Sequence, residues 1–331
     1  MLLGFIKLYS RFALFLTIGV GGVLSYFSDQ LFDPYYVQVL TLAAIYATLA
    51  VSLNLVMGET GQFSLCHAAF MAVGAYTSAY ITSYGLPFWF PDVKFTGSSF
   101  WSQVTFFPVL ASSGLAAGLA GWIVGVPSLR LRGDYLALVT LGFGEIIRVV
   151  LQNMEAVGGA RGMEAVVPAT NLFWSIGTAA TVIYFSFSLV RSTYGKGFHA
   201  VRDDELAAES MGVNTTAYKV TAFVWGAFFA GIAGALYAHS VEFISPDGFT
   251  YLKSIEILVM VVLGGMGQIG SVALAAIFLT LLNEWLRQLG SYRMVAYSLM
   301  IILLMILRPQ GLLGGVGQMF WVRGGLRRKR T

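Results

Sequence analysis

Residues 191–219 read RSTYGKGFHAVRDDELAAESMGVNTTAYK, a polar stretch set between two long apolar segments. Asp203, Asp204 and Glu205 place negative charge where a helix begins, and Leu206, Ala207, Ala208, Ser210 and Met211 follow as fair helix formers. Gly212-Val213-Asn214 then supplies a stop. The spacing predicts a short exposed helix on which Ala207, Ala208 and Met211 form a small, weakly apolar face bordered by charge. Such a segment is either a solvated loop helix or a surface that lies in another protein's groove. The flanking segments favour docking, because they place the stretch at a membrane surface.

Hydrophobic residues make up 57% of the 331-residue chain and charged residues 11%, whereas soluble domains carry about 25% charged residues. The mean hydropathy is +0.75. A chain this apolar belongs in lipid, where crossing roughly 30 Å of hydrocarbon takes about 20 apolar residues. Candidate segments lie near 12–28, 37–57, 65–83, 106–126, 135–154, 172–190, 220–237, 255–263, 271–286 and 294–307. The 255–263 segment is too short to span alone, so it is half of a broken helix or is extended by its flanks. The expected fold is therefore an all-α polytopic transmembrane helical bundle of roughly eight to ten spans, with room for broken or re-entrant half-helices.

Basic residues orient the bundle, since positive loops stay in the cytoplasm. Ten spans with both termini inside put Lys7, Arg11, Arg130, Arg132, Arg191, Lys196, Arg202, Lys219 and the tail from Arg308 to Arg330 on the inner side. Lys94, Arg161, Lys253, Arg287 and Arg293 fall outside. The 191–219 loop is then cytoplasmic, and so is whatever docks on it. The N-terminal basic residues and apolar run lack a small-residue cleavage site after Leu24 and read as a retained span. The basic tail, Arg323 to Arg330, reads as an anchor on anionic lipid and not as a nucleic-acid site.

Two glycine-rich interruptions share a G-x-x-G-Q pattern: Gly58, Glu59, Gly61, Gln62 and Ser64, and Gly264, Gly265, Gly267, Gln268 and Ser271. Paired breaks of this kind mark discontinuous helices lining a transport pathway, with Ser64 and Ser271 as caps of half-helices that favour a carboxylate. The same residues are equally compatible with plain turns on one side of the membrane. His67, one turn further on, lines the pathway or packs by a hydrogen bond. Gly114, Gly118, Gly121 and Gly125 form a smooth stripe on which another helix can approach closely, and Gly226, Ala230, Ala233 and Gly234 form a second. Glu145 and Arg148 stand three residues apart and can neutralise each other within a span. Cys66 is the sole cysteine, a packed hydrophobe with no disulfide partner.

No G-x-x-x-x-G-K-[ST] phosphate loop occurs; the nearest fragment, Gly195-Lys196-Gly197, lacks the spacing and the magnesium-binding hydroxyl. The chain is thus not read as hydrolysing ATP. No zinc-binding His-Glu-x-x-His, nucleophile elbow or catalytic carboxylate pair is present, so neither an enzyme, a metal site nor a cofactor is expected.

The segments NLVMGETGQFSLCHAAFMAVGAYTSAY, LRLRGDYLALVTLGFGEIIRVVLQN, RDDELAAESMGVNTTAYKVTAFVWGAFFAGIAGALYA, SIEILVMVVLGGMGQIGS and LRPQGLLGG, spread from Ala43 to Gly315, closely resemble the LivM branch of branched-chain amino-acid ABC transporter permeases. The resemblance implies an inner-membrane permease importing leucine, isoleucine, valine or a related amino acid. Its implied partners are a LivH-type second permease, two cytoplasmic ATPases and a periplasmic amino-acid-binding protein. Urea, short amides or another amino acid are alternative cargo within the family; an ion-coupled carrier is a more distant reading, with Glu59 as the candidate coupling carboxylate. The implied organisation is one permease domain over 1–331: a membrane core over 1–315 that contains the coupling loop, then a basic tail over 316–331. Ala207-Ala208-x-x-x-Gly212 matches the later part of an E-A-A-x-x-x-G coupling-helix signature, with Leu206 where the glutamate would stand and Glu205 one place earlier.

Overall fold

The computed structural model describes Gly19, Gly21, Gly22 and residues 33–85, 100–129, 131, 133–163 and 167–307. The basic tail and all of the expected first span but Gly19, Gly21 and Gly22 fall outside them. From residue 37 onward a helix stands at every apolar segment anticipated above: α1 (Pro34–Thr60), α2 (His67–Tyr80), α3 (Phe100–Ser128), α4 (Asp134–Asn153), α5 (Leu172–Val190), α8 (Thr215–Val241), α9 (Tyr251–Gly264), α10 (Ile269–Trp285) and α11 (Arg293–Leu307). Two short helices, α6 (Thr193–Asp203) and α7 (Glu205–Ser210), occupy the polar loop. Among the described residues there is no strand, only an isolated bridge between Met163 and Ile244. Among the described residues five helices are long and apolar enough to cross a membrane: α1, α3, α5, α8 and the stretch Ile269–Gln288 that contains α10. The protein is an all-α polytopic membrane protein.

The core is built on α1 and α8. Pro34 opens α1 in its first turn, where a missing N–H is no loss, and Gly61 closes it at φ 70°, a left-handed conformation that suits glycine. Between these ends α1 is sheathed by α5, α8, α9 and α10. Hydroxyls inside the bundle are satisfied by their own helices: Thr48 donates to the Ala44 carbonyl at 3.0 Å and Ser113 to that of Val109 at 2.8 Å.

Both small-residue stripes are spent within the chain. A Cβ on Gly121 would lie 2.5 Å from Ala227 Cβ, and one on Gly114 would lie 2.8 Å from Phe228, so the α3 stripe seats α8. The opposite side of α8 meets α1 and α2: a Cβ on Gly226 would lie 2.6 Å from Val56, and one on Gly234 would lie 1.9 Å from the Met71 carbonyl oxygen. Without a hydrophobic drive between helices in lipid, this proximity supplies dispersion contact to hold them.

After Gly61 the chain turns back into the bundle without helical structure as far as Cys66. His67 Nε2 lies 2.8 Å from Ser52 Oγ, so α2 begins eight residues short of the end of α1, about 12 Å inside it at 1.5 Å per residue. The free amide of Ala68, in the first turn of α2, donates to Ser254 Oγ in the first turn of α9 at 2.9 Å. Helix α9 has 14 residues, about 21 Å, and runs from this meeting point back to the end that carries α6 and α7, here termed the loop end. The short 255–263 segment is thus part of a half-helix that starts inside the bundle beside another.

Candidate functional site

The polar loop folds as its local chemistry dictates. The Ser192 side chain accepts from Gly195 N–H and starts α6; Asp204 Oδ1 accepts from Ala207 N–H at 3.0 Å and starts α7; Asn214 Oδ1 accepts from Ala217 N–H at 3.1 Å and starts α8. Gly212 ends α7 at φ 82°. Phe198 anchors α6, fully buried against Leu55 of α1 and Ala222 of α8. Lys219 is 5% exposed and its ammonium lies 2.5 Å from Glu205 Oε1, which ties α7 to α8 and gives Glu205 a structural job.

The face of α7 differs from the expected one. Ala208 is buried, 6% exposed, because the tether through Glu205 rolls that side toward the bundle. Ala207 stays outside, and it is joined by Leu206 (61% exposed) and Met211 (84%). Asp203 and Asp204 are exposed at the entry to α7. Leu206, read from sequence only as a helix former, is one of the exposed apolar residues of α7.

The two glycine breaks meet each other and the loop. Asn54 Oδ1 accepts from Gly267 N–H at 2.9 Å, and a Cβ on Gly58 would lie 2.3 Å from that nitrogen. The Arg202 guanidinium of α6 donates to the Gly58 carbonyl at 3.2 Å, and a Cβ on Gly61 would lie 3.2 Å from Arg202 Cγ. Gly58 lies in the last turn of α1, where carbonyls lack helical donors and carry the negative end of the helix dipole. An arginine from the loop fills that vacancy. Gly265 and Gly267 turn at φ 92° and 82°, while Gly264 packs against Val272 at the start of α10. The second break is therefore a tight turn at the loop end, and the first is a turn that leads into an unwound segment. Being on one side, they are not related by an inverted repeat.

Several expected roles are not found. Neither Ser64 nor Ser271 caps a helix: Cys66 and Gln268 stand at the cap positions, Ser64 Oγ lies 3.3 Å from Cys66 Sγ, and Ser271 Oγ is buried without a partner. His67 is buried on Ser52, which is the packing role. Gln62 is buried with both amide atoms unpartnered. Glu59, 1% exposed, has its carboxylate 3.6 Å from His199 Nδ1 of α6. Burial and the neighbouring Arg202 charge hold His199 below the usual histidine range, which keeps it neutral near pH 7. Glu59 thus sits at the loop end and not at mid-depth, where a coupling carboxylate of an ion-driven carrier would stand. Glu145 and Arg148 pair as expected, at 2.7 Å, and Arg148 also reaches Asp247 at 3.3 Å, a partner no spacing pattern could reveal.

A polytopic helical bundle whose terminal loop grips paired breaks in its central helices has the build of the membrane subunit of a transporter. The model of the family described as branched-chain amino acid transport system / permease component matches residues 35–308, and the chain belongs to that family. It is 38% identical to the high-affinity branched-chain amino acid transport system permease protein LivM of Escherichia coli, over 84% of this chain and 69% of the relative. It is 26% identical to the corresponding LivH protein of Salmonella typhimurium, over 87% of this chain and 96% of that one. An autoinducer 2 import system permease protein, LsrC of Escherichia coli, is 27% identical over 76% of this chain and 73% of its own. No solved structure matches the chain.

Proposed function

We propose that this chain is the membrane-spanning permease subunit of an ATP-driven importer for branched-chain or closely related amino acids, resident in a bacterial inner membrane. The loop end faces the cytoplasm. There the outward face of α7 rests on one of two ATPase subunits, and a LivH-type permease completes the pathway that a periplasmic binding protein feeds. ATP hydrolysis belongs to the ATPases. The observation that carries the reading is the bond from Arg202 to the Gly58 carbonyl: a pull on α6 and α7 is delivered to the end of α1, where the unwound segment begins.

The test is reconstitution of the chain with its partner permease, ATPases and binding protein in liposomes. Uptake of labelled leucine, isoleucine or valine that needs ATP is expected; uptake driven by an ion gradient with no ATP would overturn the reading. The likeness to an autoinducer permease favours checking other cargo, which binding by the cognate periplasmic protein decides.

A prediction follows for the docking face. Leu206→Asp with Met211→Asp puts charge on two exposed residues, leaving the fold intact and weakening ATPase association roughly 10-fold or more, as loss of interface anchors does. Co-purification of the ATPase with the variant and with Lys196→Ala as control measures it; undiminished association would move the docking site elsewhere.

A further inference from the structure

Two sets of ion pairs stand at the same depth on one flank of the bundle. On α4, Arg148 pairs with Glu145 at 2.7 Å and reaches Asp247 at 3.3 Å; Asp247 lies in the short turn Pro246–Phe249 that leads into α9. At the start of α9, Lys253 pairs with Glu256 at 2.9 Å, and its ammonium lies 4.6 Å from the centre of the Tyr46 ring. Tyr46 is midway along the 27 residues of α1, and Arg148 stands about 21 Å along α4 from the loop end. In a hydrocarbon layer of about 30 Å, both sets belong near the middle. Lys253, which span counting puts outside the membrane, is inside it because α9 starts within the bundle.

These charges are matched among themselves, so what distinguishes the flank is their exposure. Glu145, Arg148, Lys253 and Glu256 are only part-buried, and the Asp247 side chain is 73% exposed. Exposed charge at the middle of a bilayer persists where it meets protein or a water-filled cavity, not acyl chains. The other outward faces are of a different kind. Leu115 on α3, Leu281 on α10 and Leu299 on α11 are exposed, and no Asp, Glu, Lys or Arg occurs in 100–128, 269–283 or 294–307. Those faces suit lipid. Around the ion pairs, by contrast, Ile146, Val149, Leu252 and Ile255 are exposed beside charge, a mixed surface that suits water and a solute with an aliphatic part.

We infer that this flank, α4 with the start of α9, is the wall of the water-filled pathway and faces the second permease across it. The inference rests on the function proposed above and names the side of the chain that this partner meets.

Thiol labelling tests it in the reconstituted importer, in proteoliposomes of mixed orientation. Cys66, the chain's one cysteine, is fully buried and gives an unreactive background. Val149→Cys and Ile255→Cys put a thiol on the flank at exposed positions, whereas Leu115→Cys and Leu281→Cys put one at exposed positions on α3 and α10, about 20 Å from the loop end. A charged, membrane-impermeant maleimide should modify the first two at least about 10-fold faster than the last two, since the reactive thiolate forms where water solvates it. A photoactivatable maleimide on Val149→Cys should cross-link the second permease. Equal rates at the four positions, or no cross-link from Val149→Cys, overturn the inference. Neither readout depends on the cargo; failure of the wild-type complex to take up leucine, isoleucine or valine overturns the proposed function instead.

Discussion

Gly234→Leu removes the folded protein from the membrane. At this crossing α8 lies so close to α2 that even a Cβ would stand 1.9 Å from the Met71 carbonyl oxygen and 3.1 Å from the Ala75 nitrogen, both backbone atoms that no rotamer change can move. On the other helix, a Cβ at Gly74 would stand 2.1 Å from the Gly231 carbonyl oxygen, so the contact is closed from both sides. Leucine forces the helices apart along their whole shared length, and overpacking in a fixed core costs about 3 kcal/mol or more where backbone must shift. Against a total stability on the order of 5–15 kcal/mol, the variant loses most of its detergent-stable yield. Gly177→Ala on α5 is the control: among the described residues no atom lies within 4 Å of the Cβ it would gain, and the better helix former should hold or raise the melting temperature. A Gly234→Leu protein that melts with wild type would mean that α2 and α8 are not packed here.

The stripe at Gly114, Gly118, Gly121 and Gly125 was legible as a face because three- and four-residue spacing writes one side of a helix whatever lies opposite. That α8 fills it was not, since the spacing carries no information about the other helix. The acidic start at Asp204 and the stop at Gly212 are events within four residues of chain, and they were readable for that reason, whereas Asn214, read as part of the stop, caps α8. The roll of α7 was not: six residues hold too little periodicity to point a face, and its direction is set by Glu205 reaching Lys219, 14 residues away. The half-helices were only half visible. Glycine density announced a break, but its depth depends on Ala68 meeting Ser254, separated by 186 residues, and on His67 meeting Ser52. The serines proposed as caps were misplaced because the helices restart three residues beyond Ser64 and two before Ser271, which no local signal marked.

Arg202→Ala separates ATP hydrolysis from transport. The guanidinium is the direct link found between the loop and the Gly58 carbonyl, and it also lies against Gly61 and Gly267, so one side chain touches both breaks. A hydrogen bond from a charged donor is worth about 1.5–3 kcal/mol when buried, and this side chain is 36% exposed, so about 1–2 kcal/mol is the appropriate figure. If that bond holds the end of α1 to α6 while α7 is pulled, its loss lets the loop move without the helix, and leucine imported per ATP hydrolysed should fall roughly 10-fold. Hydrolysis itself should persist, because Leu206 and Met211 still offer their exposed surfaces to the ATPase and the Lys219–Glu205 tether is untouched. Arg202→Lys keeps the charge near the negative end of α1 but loses the planar fork, and it should recover part of the ratio. The measurement is uptake and phosphate release on the same proteoliposomes. A proportional fall in both would make Arg202 a prop for docking, and equal ratios in all three proteins would show that force reaches α1 by another route, through the buried Phe198 against Leu55.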